Sequence, residues 1–181
     1  MTSNPAVFDG HAGRGAGGAY FVAKEAGSED LSAGPSPGPA WSGRALRLPE
    51  PPTTEHAADL AQRAVDAAYN VSGVELDYTP ASLNLVDDIL RGFREPGSDA
   101  VAETIFVFGC YVGEVLIHNA GYEWINTPTE LGPVLGPLTI YCASTATHAS
   151  PIWRAFKCVD NGDTDSVAYF YRVFTAESES A

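Results

Sequence analysis

The chain of 181 residues has few cysteines, few cations and no long apolar run, and each shortage removes a class of protein. Cys110, Cys142 and Cys158 are unevenly placed and include no Cys-x-x-Cys pair, so neither a disulfide scaffold nor structural zinc is expected. Ten Lys and Arg against 23 Asp and Glu leave a formal charge of -13, whereas a nucleic-acid binder needs clustered cations to neutralise phosphate. The longest apolar stretch, Ile105 to Gly113, is bounded by Thr104 and Glu114, well short of the ~20 residues that span a membrane. The first twenty residues carry one cation, Arg14, and no continuous apolar segment, so no secretory signal is read there. The expectation is an acidic cytoplasmic protein with no cofactor and no nucleic-acid or membrane partner.

What is present divides unevenly. Residues 1 to 52 hold 9 of the 18 Gly and 7 of the 13 Pro, a composition that cannot bury enough apolar surface to offset its chain entropy. We therefore expect a disordered tail over 1–52 and a single acidic domain over 53–178. Two apolar islands interrupt the tail, Tyr20-Phe21-Val22 and Trp41 with Leu46 and Leu48, and either could dock on a partner or back on the domain.

Within the domain the pattern reads as α+β, mainly helical, with a small antiparallel sheet of two or three strands. Thr54 can cap a first helix with Leu60, Ala61, Ala64, Ala68 and Val71 inward. Thr79-Pro80 opens a second with Leu83, Val86, Leu90 and Phe93 inward. Ser98 or Asp99 starts a third, from about 99 to 119, closed by Gly121. Tyr122 to Asn126 and Leu138 to Ala143 read as paired strands. Ser150-Pro151 begins a helix that Asn161-Gly162 stops, and Val167 to Phe174 reads as a last helix capped by Asp163, Thr164 or Asp165.

The third helix carries the chemistry. At 100° per residue, Asp99, Glu103, Cys110, Glu114 and His118 share one narrow stripe and nearly everything else is apolar, so the helix is expected to be buried. Gly109 and Gly113, one turn apart, suggest close approach of another backbone, with the alanine-rich first helix as partner. Glu114 admits three readings: the solvated edge of the helix, an internal carboxylate paired with Arg154 or Lys157, or a metal or nucleophilic site with Cys110 and His118. Spacing at i, i+4 and i+8 alone does not make a catalytic site.

From Leu76 to Phe174 the order of signals resembles a family of small bacterial domains of uncharacterised function. The pieces are Leu76-Asp77-Tyr78-Thr79-Pro80-Ala81-Ser82-Leu83, Phe108-Gly109-Cys110-Tyr111-Val112-Gly113-Glu114-Val115 and Gly121-Tyr122-Glu123-Trp124, followed by Pro151-Ile152-Trp153-Arg154-Ala155-Phe156-Lys157 and Asn161 to Phe170. That likeness implies the domain limits and a helical last segment, and no activity. In the tail, Ala6-Val7-Phe8-Asp9-Gly10-His11-Ala12-Gly13 resembles the metal-binding motif of metal-dependent serine/threonine phosphatases, which would make Asp9 and Gly10 ligands. One carboxylate is too few for two hard cations, each of which takes several oxygen ligands, so no metal is expected.

Rings are plentiful in the C-terminal half, and Tyr and Trp combine contact area with a polar tip. Tyr111, Trp124 and Trp153 are the expected partner-binding residues. The function expected is a non-enzymatic interaction module for a protein partner, an adaptor or an inhibitor of a basic protein. Its rival is a small enzyme with Cys110, Glu114 and His118 as its site.

Overall fold

The structure is a computed structural model that describes residues 46–130 and 132–176. The Asp9-Gly10 motif and the tail expected to be disordered, as far as residue 45, lie outside the described residues. Among those described, six helices, one of them a single turn, surround a three-stranded antiparallel sheet.

Helix α1 (Ala57–Ser72) buries Ala57, Leu60, Ala61, Ala64 and Ala68. It stops at Gly73, whose φ of 65° is cheap only without a Cβ. There the Gly73 amide donates to Tyr69 and the Val74 amide to Ala68, which satisfies two of the free carbonyls at the helix end. Two expectations fail on this helix. Its N-cap position is His56, not Thr54, with no side-chain cap bond. Val71, expected inward, is 85% exposed and lines an open groove with Leu85, Ile89 and Phe93.

A 3-10 turn at Pro80–Ser82 leads into α2 (Leu83–Gly92), which buries Leu83, Val86, Asp87 and Leu90. Helix α3 (Ala102–Ala120) is buried on all sides from Ile105 to Leu116 and ends at Gly121, φ 68°. Strand β1 (Glu123–Asn126), the single turn α4 (Gly132–Leu135), β2 (Leu138–Cys142) and β3 (Thr147–Ala149) follow. Trp124 pairs with Ile140, and Ile140 with Ala149. Helix α5 (Pro151–Asn161) starts as its sequence signals, with the Ser150 hydroxyl accepting the Trp153 amide at 3.3 Å. The last segment, expected as a helix over 167–174, is helix α6 (Val167–Ala176).

Helix α3 is the axis, packed chiefly against α5 and α1. Its glycines do permit close approach, but not by α1. A Cβ on Gly109 would lie 2.5 Å from the Ile152 Cα of α5, and one on Gly113 would lie 2.2 Å from the Trp124 ring of β1. The first helix is alanine-rich and sits on another side of α3. Ahead of it, Leu46 and Leu48 pack against the core and Glu50 pairs with Arg63, so packed chain begins before residue 53.

Candidate functional site

Glu114 is not on a solvated edge. It is 7% exposed, accepts the indole N–H of Trp124 at 2.8 Å, and has the His118 Nε2 at 3.5 Å. His118 lies one turn on and faces solvent, with its ring against Tyr78 at 5.2 Å. Burying a carboxylate demands polar partners, and an indole donor supplies one that the sequence stripe could not show, since β1 is a separate element. The ion pair expected with Arg154 or Lys157 does not form at Glu114.

Tyr111, expected to meet a partner, lies inside the domain. It is fully buried, with its ring on Tyr78 at 4.8 Å and its hydroxyl between Ser82 Oγ at 2.6 Å and the Tyr78 amide at 2.9 Å. Tyr78 itself has φ 59°, which a bulky side chain adopts only when its surroundings impose it. The imposing groups are Tyr111 on its amide and Asn119 Nδ2, which donates to its carbonyl at 2.9 Å. Its phenol is pushed up to about 12, first by burial and then by the charge of Glu114 and by Tyr111. Cys110, the third member of the expected stripe, is buried, and burial followed by the Glu114 charge drives its thiol well above the usual range. A neutral thiol is a poor nucleophile and a poor ligand, so Cys110 stands apart from the Glu114 and His118 pair in chemistry though it shares their face.

Arg154 and Asp165 form a second polar centre. Arg154 is 3% exposed; its guanidinium donates to Asp165 Oδ1 at 2.5 Å and lies over the Phe170 ring. Burial lowers its pKa, and the charge of Asp165 opposes that. Asn161 Nδ2 also donates to Asp165, at 2.7 Å. Asp165 is therefore the partner of Arg154 and does not cap α6. That cap is made by Ser166, whose hydroxyl accepts the Tyr169 amide at 3.0 Å, and by Asp87 of α2, which accepts the Val167 amide at 2.7 Å and the Ser166 hydroxyl at 2.6 Å. Lys157 lies over the half-buried Trp153 ring. Trp153 Nε1 is enclosed with no hydrogen-bond partner among the described residues, so its polar tip is not offered to a partner.

The open surface lies elsewhere, around the C-terminal half of α1. On one side a groove of about 620 Å³ is lined by Val71, Val74, Leu85, Ile89, Phe93 and Phe108. On the other side a cleft of about 400 Å³ carries Asp66, Glu75 and Asp77 beside Tyr69 and Asn70. Tyr69 is 59% exposed and Leu85 39%. Sequence reasoning missed this place because Val71 fits the inward stripe of α1; the signal available was the acid in Val74-Glu75-Leu76-Asp77.

Among the described residues no cluster of three or more His, Cys, Asp and Glu side chains could hold a metal ion, and no helix is long and apolar enough to cross a membrane. No family model, curated protein or solved structure matches this chain.

Proposed function

We propose that this domain is a non-enzymatic cytoplasmic interaction module whose partner is a basic amphipathic helix seated at the end of α1. One observation carries the reading: an apolar groove holding the 85% exposed Val71 stands back to back with a cleft of three carboxylates. A helix laid in a groove buries anchors at i, i+3, i+4 and i+7. Asp66, Glu75 and Asp77 lie across α1 and would not touch such a helix; with Asp88 on the groove's own rim they supply a negative field that would speed its encounter. Exposed valine and leucine side chains are worth ~1.5–3 kcal/mol each when fully removed from water, enough to make them anchors. Catalysis at Cys110, Glu114 and His118 has less support, since the thiol is held protonated and the carboxylate is engaged by Trp124.

The probe is a synthetic helix with leucines on one face and lysines on the other, titrated calorimetrically into the full chain. Binding should weaken as salt rises and fall about tenfold or more in Val71→Asp/Leu85→Asp, at ~1.4 kcal/mol per decade. Absence of binding, or equal affinity for the double variant, removes this function.

A further inference from the structure

We infer that Asn161 is a modification site: its side-chain amide is lost as ammonia when the junction of α5 with the turn that follows it opens, and the product cannot close that junction again. Asn161-Gly162 is the one Asn-Gly pair in the chain. Asparagine is among the thermally labile residues, and a following glycine leaves its own amide nitrogen unscreened by any Cβ. That nitrogen gives up its proton and attacks the side-chain carbonyl carbon of Asn161. An N–C bond forms, the bond from that carbon to Nδ2 breaks, and ammonia leaves a five-membered imide. Water then opens the ring at one carbonyl or the other, giving aspartate or isoaspartate. The reaction needs no partner, so it is independent of the groove beside α1.

The fold opposes each requirement of that attack. Ring closure needs the reacting atoms ~3–3.5 Å apart and aligned, but Asn161 has ψ -13°, which carries the Gly162 nitrogen onward with the helix and away from the side chain. The Gly162 N–H donates to the Cys158 carbonyl, so the proton that must leave is held in the last bond of α5. Thr164 Oγ1 donates to the Asn161 carbonyl at 3.2 Å, which fixes the same peptide from its other side. The leaving group is tied as well, since Asn161 Nδ2 donates to Asp165 Oδ2 at 2.7 Å. Asn161 is nonetheless exposed, so solvent reaches it once these ties part. The reaction therefore runs through the opened population of the junction, and its rate reports how often that opening occurs.

The product undoes the ties. Asp165 is 7% exposed and holds Arg154 with one oxygen and Asn161 with the other. An aspartate at 161 exchanges the donor facing Asp165 for a second carboxylate, a like-charge contact beside a buried group. Isoaspartate goes further, because it adds a C–C bond of ~1.5 Å to the main chain where there is no slack. Gly162 is buried at φ 71°, the 3-10 turn Gly162–Asp165 follows α5 directly, and the Val167 amide just beyond is pinned on Asp87. A molecule that has opened here is thereby marked.

The test ages the full chain in warm, mildly alkaline buffer and in denaturing urea. Mass spectrometry follows the gain of one dalton on the fragment carrying residue 161, and enzymatic methylation counts isoaspartate. Conversion should be about tenfold or more slower in buffer than in urea, one decade for each ~1.4 kcal/mol of opening. A synthetic peptide of residues 159–165 in plain buffer should match the urea rate, and Asn161→Ser should abolish the gain on that fragment. Equal rates for the folded chain and the peptide overturn the protection, and a gain that survives Asn161→Ser overturns the assignment. Chain half converted in urea is then returned to buffer. Its isoaspartate fraction should unfold at lower urea than the unconverted fraction, with Asn161→Asp between them. Converted chain that regains the parent's urea midpoint overturns the one-way consequence.

Discussion

The carboxylate of Asp87 accepts the backbone N–H of Val167 at 2.7 Å across eighty positions of chain, so one helix caps the start of another. The same carboxylate takes the Ala168 amide at 3.2 Å and the Ser166 hydroxyl. Free N–H groups and the positive end of the helix dipole both favour an anion there. Asp87→Asn keeps one acceptor and loses the charge; Asp87→Ala leaves buried donors unmet. Charged hydrogen bonds are worth ~1.5–3 kcal/mol, so urea midpoints should fall in the order parent, Asn, Ala. An unchanged midpoint for Ala shows that the cap contributes nothing.

The Arg154 and Asp165 pair is nearly sealed from water. Removing one partner strands the other, which typically costs ~3–5 kcal/mol, whereas an apolar pair of similar volume is often tolerated. Asp165→Ala should therefore destabilise more than Arg154→Met/Asp165→Leu. If the double variant is the worse of the two, the pair is contributing net stability and not merely avoiding a stranded charge.

Which of these features the sequence disclosed depends on how far apart in the chain their parts lie. The opening of α5 was legible because Ser150, Pro151 and Trp153 sit within one turn, and the end of α3 at Gly121 is equally local. The burial of α3 follows from its composition alone. Asp87 as a cap, Trp124 as donor to Glu114, and Ile152 against Gly109 each join elements whose relative placement no local pattern encodes. Val71 failed for another reason: helical spacing reports a face, and it cannot say whether a neighbouring element covers every position on it.

Gly109 and Gly113 should respond differently to a methyl group. At Gly109 the obstacle is the Ile152 backbone, which cannot step aside; at Gly113 it is the rim of the Trp124 ring. Overpacking typically costs ~1–3 kcal/mol, and Gly109→Ala should exceed that range while Gly113→Ala stays within it. Trp124→Leu should recover part of the Gly113→Ala loss and none of the Gly109→Ala loss in thermal melts. Equal rescue at both positions would contradict the geometry.

Alkali should unfold this protein through protons it holds too tightly. Tyr78 is pushed up to about 12 from 10.0, and Cys158 to about 12 from 9.0, in both cases by burial first. The unfolded chain releases these protons at the ordinary values and the folded chain keeps them, so their stabilisation is complete below about pH 9 and drains away towards pH 12. Urea midpoints measured from pH 8 to 11 should fall steadily, and Tyr78→Phe and Cys158→Ala should each flatten the descent. A level profile in the parent would sink this account.

Where α3 crosses α5, main chain meets main chain at Gly109 with no layer of side chains between them. Such a crossing has no upholstery to rearrange, so a bulkier residue at that position would have to push one helix off the other. Sequence change is thereby freest in its rind, in the helices whose outward residues can vary without disturbing that seam.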